Sequence, residues 1–149
     1  MTTLSADEKI GVAGASLIAA LVMMQFIFPA WHWLWVDKLN VLTARENEPV
    51  PVEYDRKINM DFTGDWRVKV WRVESDGLLP VCASPDKAES YRTTAKLPAK
   101  VTLEWLAYTD PNCYKLEPGD YEIEVVWNIN PGSFWERTVK RRDTFRILE

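Results

Sequence analysis

The sequence predicts a mainly β protein in which a single N-terminal transmembrane α-helix precedes an antiparallel β-sandwich. Three observations predict it. The run from Ile10 to Val36 contains no Asp, Glu, Lys or Arg. Beyond Val52 the apolar residues recur with a period of two, the mark of half-buried strands. Clusters of Gly, Pro, Asn and Asp then punctuate the chain at hairpin spacing, with no helical period after residue 45.

Four segments follow from this reading: a short polar tail over 1–9, a span over 10–36, a stalk over 37–52 and a β domain over 53–149. A helix over 10–36 would reach roughly 40 Å at about 1.5 Å per residue, enough for a hydrocarbon core of about 30 Å. Ser16 and Gln25 are its main polar interruptions, so it lacks the polar stripe of a soluble helix. Gly11, Ala15 and Ala19 make the first half small, which suits either tolerance in lipid or packing on another helix. Trp31, Trp33 and Trp35 cluster at the far end, where amphipathic rings favour the water–lipid boundary. Pro29 is placed to kink or end the helix before them. His32, the only histidine, is expected to be one more polar group of that belt. The apolar run is too long for a cleaved signal peptide, acidic residues precede Lys9, and Phe28-Pro29-Ala30 makes a poor cleavage site. The expectation is an uncleaved signal anchor.

Orientation rests on two opposing signals. Lys9 lies on one side of the span and Lys38 and Arg45 on the other, which by itself favours a cytoplasmic domain. Cys82 and Cys113 pull the other way, because two cysteines in a small β domain suit a disulfide in an oxidising compartment. Such a bridge would contribute about 3–4 kcal/mol in the chain-entropy account. The expected location is therefore a membrane, single-pass, a bacterial inner membrane with the C-terminal domain periplasmic or extracellular. A net charge of −4 gives no electrostatic case for nucleic acid.

The elements follow in order. ENEPVP, with its charges and two prolines, reads as an extended connector. Ile58, Met60 and Phe62 alternate before an expected turn at Thr63-Gly64-Asp65. Trp66, Val68 and Val70 alternate with polar residues up to Ser75-Asp76-Gly77. An irregular region leads to a further strand with Val101, Leu103, Trp105 and Ala107 on one side. The clearest strand carries Tyr121, Ile123, Val125, Trp127 and Ile129 on one face and Glu122, Glu124 and Asn128 on the other. Arg137 to Leu148 closes the chain, with Phe145 and Ile147 inward. Six or seven such strands in about 100 residues point to two packed sheets.

Leu116-Glu117-Pro118-Gly119-Asp120-Tyr121, followed by Ile123, Val125 and Trp127, resembles the turn and penultimate strand of immunoglobulin-like and fibronectin-III-like domains. The resemblance implies an immunoglobulin-like sandwich over 45–149, in which Tyr121 hydrogen-bonds back to the chain. Antibody-type domains place a cysteine two residues after that tyrosine, where this chain has Ile123, and Cys113 lies before the turn. A bridge here would differ from their usual inter-sheet one.

A search for chemistry finds no catalytic set. The lone His lies in the apolar run, and no GxSxG turn or Gly-rich phosphate loop occurs. Glu122 and Glu124 fit a solvated sheet face better than a glycosidase pair. Asp61, Asp65, Asp110 and Asn112 carry oxygens of the kind calcium takes, but without EF-hand spacing they are better explained as turn formers. Neither metal nor cofactor is expected. Binding surfaces are better supported: Phe134 and Trp135 at a loop tip, and Trp71 between Lys69 and Arg72, are the candidate partner contacts. Lys140-Arg141-Arg142 reads as a solvated feature of an edge strand. The expected function is a non-catalytic protein-binding module at the envelope, with membrane lipid and another envelope protein or membrane complex as partners. Two alternatives are an accessory subunit of a membrane complex, assembled through Gly11, Ala15 and Ala19, and a small phage- or bacterium-encoded accessory or lysis-related membrane protein.

Overall fold

The computed structural model of the chain describes residues 6–107, 110–132 and 136–149, and only the backbone of 6–9 and 24–27. Helix α1 runs over Ala6–Ile27. Its described side chains, Ile10 to Met23, are exposed all round apart from half-buried Leu21. Among the described residues no helix is long and apolar enough to cross a membrane. From Ile10 to Met23 the rise is only about 20 Å, against about 30 Å of hydrocarbon.

The expected span over 10–36 is corrected at its far end. The helix stops at Ile27, Pro29 caps a 3-10 turn over Ala30–His32, and strand β1 occupies Leu34–Val41. Leu34 and Val36 are buried in the β core, while Trp35 between them faces out. Mean hydropathy does not separate a lipid-facing run from a strand that feeds a core, and the period-two pattern at 34–36 does. The expected stalk over 37–52 is likewise mostly strand: β1, then β2 (Ala44–Arg45), then β3 (Pro51–Ile58). ENEP supplies the turn, with Asn47 in the left-handed region at φ 64°. Val50 and Val52 on either side of Pro51 are buried, which a solvated connector would not tolerate.

The remaining strands are β4 (Phe62–Glu74), β5 (Gly77–Ala83), β6 (Lys87–Tyr91), β7 (Lys100–Thr102), β8 (Gly119–Asn130) and β9 (Arg137–Leu148). They form two sheets. One holds β1-β3-β7, and the other runs β2-β9-β8-β4-β5, with β6 also paired to β4. Every pairing is antiparallel except the short β2–β9 contact. The core lies between the sheets, so the fold is sandwich-like and mainly β. Trp66, Val68 and Val70 of β4 meet Tyr121, Ile123, Val125, Trp127 and Ile129 of β8, with Phe145 and Ile147 of β9 beside them, all buried. Alternation alone placed each of these.

Two elements differ from expectation. Thr63-Gly64-Asp65 is not a turn but part of β4, which the chain enters through residues 59–61. Gly64 serves close approach there: a Cβ would sit 2.2 Å from the Asn128 carbonyl oxygen on β8. The strand expected over Val101 to Ala107 stops at Thr102, and helix α2 takes Leu103–Ala107. Thr102 Oγ1 accepts the Trp105 amide at 3.3 Å and holds the start of that turn. Leu103, Leu106 and Ala107 then face the core at helical spacing, and Trp105 faces out.

Candidate functional site

Three regions collect the residues that sequence reasoning singled out. The first is the exit from α1. The Phe28 carbonyl accepts from Arg137 Nε at 3.1 Å, the Trp31 carbonyl from Asn59 Nδ2 at 2.9 Å, and the Trp33 carbonyl from the Asn59 amide at 2.8 Å. Arg141 donates to the Val36 carbonyl through Nε at 3.0 Å and also through Nη2. The chain leaving the helix is therefore clamped to the β head rather than hung from a stalk. His32 sits edge-on to Phe28, Trp31 and Trp33, with centroids 5.2, 6.1 and 5.5 Å away. Of the three expected belt residues Trp31 is the most exposed and Trp35 is partly so, while Trp33 packs on the core. Arg141, expected on a solvated edge, is spent on β1.

The second region is the disulfide corner. Cys82 of β5 is bonded to Cys113 in a 3-10 turn over Pro111–Tyr114, with Cα atoms 5.5 Å apart. The bridge staples an outer strand to a loop instead of joining the two sheets. Asp110 reinforces it, accepting from the Ala83 amide at 2.9 Å and from the Asn112 amide at 2.9 Å. Among the described residues Cys82, Asp110 and Cys113 are the one group at metal-ligand proximity. Their sulfurs are joined to each other, so the donors are spent. Trp71 lies half-buried nearby on the outer side of β4, lining a shallow cavity with Lys69, Pro80 and Asp110.

The acidic residues are similarly engaged. Glu124 accepts from Arg142 Nε at 2.8 Å and Glu122 lies 3.4 Å from its Nη1. Asp61 accepts from the Thr93 amide and hydroxyl at 2.7 and 3.0 Å, which holds its carboxyl below the usual range. Asp65 accepts from Asn128 Nδ2 at 2.7 Å. Asp120 pairs with Arg146 at 2.6 Å and is lowered by that contact. Phe134 and Trp135 lie outside the described residues. Gly11, Ala15 and Ala19 lie exposed along α1, and a Cβ on Gly11 would meet nothing within 4 Å.

The third region was missed in the sequence. Val52, Tyr54, Arg56 and Ile58 alternate along the inner face of β3, so an arginine occupies a core-facing position. Its guanidinium carbon lies 4.2 Å from the Tyr54 ring centroid. Burial lowers its pKa, and burial pushes the Tyr54 phenol up to about 12. Arg56 lines a cavity of about 240 Å³ between the two sheets, with Trp66, Tyr91, Leu97 and Trp105 among the walls. The signal was present in EYDRKI, where Arg56 falls in phase with Tyr54 and Ile58, but the alternation was followed only from Ile58, so the inner face of the residues before it was not read.

Tyr121 donates to the Glu117 carbonyl at 2.7 Å, the back-bond that the LEPGDY resemblance implies. No protein-family model matches the chain, and a search of curated proteins finds no match.

Proposed function

We propose that the chain is a single-pass membrane protein whose immunoglobulin-like head binds a protein partner at the cell envelope without catalysis. The observation that carries this reading is α1. Ile10, Leu17, Ile18 and Met23 are each at least 60% exposed, on different sides of a helix with no charge between Ile10 and Ile27. Apolar surface all round a helix demands apolar cover, and lipid supplies it. In sequence Met24-Gln25-Phe26-Ile27 continues the charge-free run, so 18 residues from Ile10 to Ile27, about 27 Å of helix, carry no charge, a length at the short end of the range for a span. Trp31 follows at the level of the headgroups.

The immunoglobulin-like assignment is supported by two sheets around one core and by the Tyr121 back-bond. The disulfide suits an oxidising compartment, hence the periplasmic side of a bacterial inner membrane. The clamped helix exit holds the head at a fixed attitude close to the bilayer, a geometry suited to a partner that is itself in or on the membrane. Partner contact falls to Trp71 and, by sequence, to Phe134 and Trp135. In spheroplasts an impermeant maleimide should label Cys82 and Cys113 only after reduction. Labelling without reductant, or labelling confined to inverted vesicles, would reject the proposed placement. Alanine at Phe134 and Trp135 should weaken crosslinking to an envelope partner while leaving membrane retention unchanged.

A further inference from the structure

The cavity at the end of the sandwich holds a cation that has no counter-charge among the described residues. Arg56 is half-buried, and its Nε is out of solvent with no acceptor. Among the described residues no carboxylate lies within ion-pair distance of it. The nearest acid by influence, Glu89 on the cavity wall, is paired to Lys87 at 2.7 Å. The Tyr54 hydroxyl, also buried, has no partner either. A guanidinium whose Nε is out of solvent and unpaired carries a cost, and the Tyr54 face offsets part of it. Exchanging Arg56 for a residue like its apolar neighbours Val52 and Ile58 would remove the cost, yet the chain keeps the charge there.

The walls state what else the ligand needs. Trp66 is buried and Trp105 is half exposed at the mouth, their rings 5.7 Å apart, with Leu97 from the β6–β7 connection closing one side. This gives two indole faces, an aliphatic wall, the Arg56 cation and the Lys87–Glu89 ion pair. The volume admits one group of side-chain size, not a nucleotide or a cofactor. A phosphate dianion would demand more donors than one guanidinium. A cation would be repelled by Arg56.

We propose that this cavity binds a carboxylate carried on a short apolar arm, with Arg56 as its counter-ion and Trp66 and Trp105 flanking the arm. Such a group is found on an acidic side chain of a partner or at a free chain terminus. The assignment rests on the β head alone and stands apart from the membrane anchor.

The test uses the full chain in detergent, followed through the indole N–H resonances of Trp66 and Trp105. Titration with 3-phenylpropionate should shift both saturably, while 3-phenylpropionamide, equal in shape but uncharged, binds at least about tenfold more weakly. Arg56→Gln should abolish that preference, and Trp105→Ala should weaken both probes together. Two blocked peptides separate the sources: one with an internal Glu and an amidated end, the other with a free terminal carboxylate and no acid. Either one binding supports the assignment and names its source. Equal binding of acid and amide, an unaltered acid preference in Arg56→Gln, or no saturable shift with any probe overturns it. The acid–amide comparison on the unaltered chain decides the matter even where Arg56→Gln fails to fold.

Discussion

The two sheets contribute inner faces of different character. The larger one, through β4 and β8, lines the core with Trp66, Val68, Val70, Ile123, Val125 and Trp127, all at or below 5% exposure. The smaller one, through β3, offers Val52 and Ile58 but sets Tyr54 and Arg56 between them. One face is optimised for packing, and the other gives up part of its packing to hold a charge. The difference is one of polarity: the β4–β8 face is almost wholly apolar, whereas β3, the central strand of the small sheet, turns a cation and an unpartnered phenol inward.

Truncation should separate the two faces most sharply. Ile123→Ala removes three carbons from a fully buried site and is expected to cost about 2–5 kcal/mol in a denaturant titration. Arg56→Met, at the matching inward position of β3, should be neutral or stabilising, because it removes an uncompensated desolvated charge. A loss of stability comparable to that of Ile123→Ala would end the comparison.

Next in size is the bridge. Replacing Cys82 and Cys113 together by serine frees a loop with a sequence separation of 31 and should cost about 3–4 kcal/mol. Since the bridge staples β5 to the Pro111–Tyr114 turn, hydrogen exchange should rise at β5 first and leave β3 protected. Uniform loss of protection would show that the sheets do not differ in local stability. A smaller effect belongs to Tyr121→Phe, which deletes the bond to the Glu117 carbonyl and should cost about 1 kcal/mol.

The smallest effect is one of pH. Asp61 is held below its usual value by the Thr93 amide and hydroxyl. Its contribution is therefore complete above the ordinary carboxylate range and declines as pH falls through its lowered value. Glu53, lowered by Lys100, and Asp120, lowered by Arg146, behave in the same sense. The unfolding midpoint should drop between about pH 5 and pH 3, and Asp61→Asn should flatten part of that drop. An unchanged slope in that variant would remove Asp61 from the account.

The large sheet was legible because its residues obey one rule. Tyr121 to Ile129 alternate without exception on the inner side, and LEPGDY announces both the turn and the back-bond. The small sheet was hidden by two local disguises. Leu34 and Val36 continue a charge-free run from α1, so their alternation was absorbed into the apparent span. Val50 and Val52 bracket a proline, and a strand beginning at Pro51 looks like an extended connector. The turn expected at Gly64 failed for a related reason: a glycine that makes room for the Asn128 carbonyl is indistinguishable, in one sequence, from a glycine that bends the chain. Arg56 was overlooked because the alternation was followed only from Ile58 onward, which left the inner face of the preceding residues of β3 unread.

The proposed placement of the head rests on lipid covering the exposed apolar surface of α1. Extraction of cell membranes with alkaline carbonate tests that directly. The full chain should stay in the membrane pellet and leave it only with detergent. Recovery in the carbonate supernatant, as a discrete folded species, would contradict the anchor and with it the placement of the head.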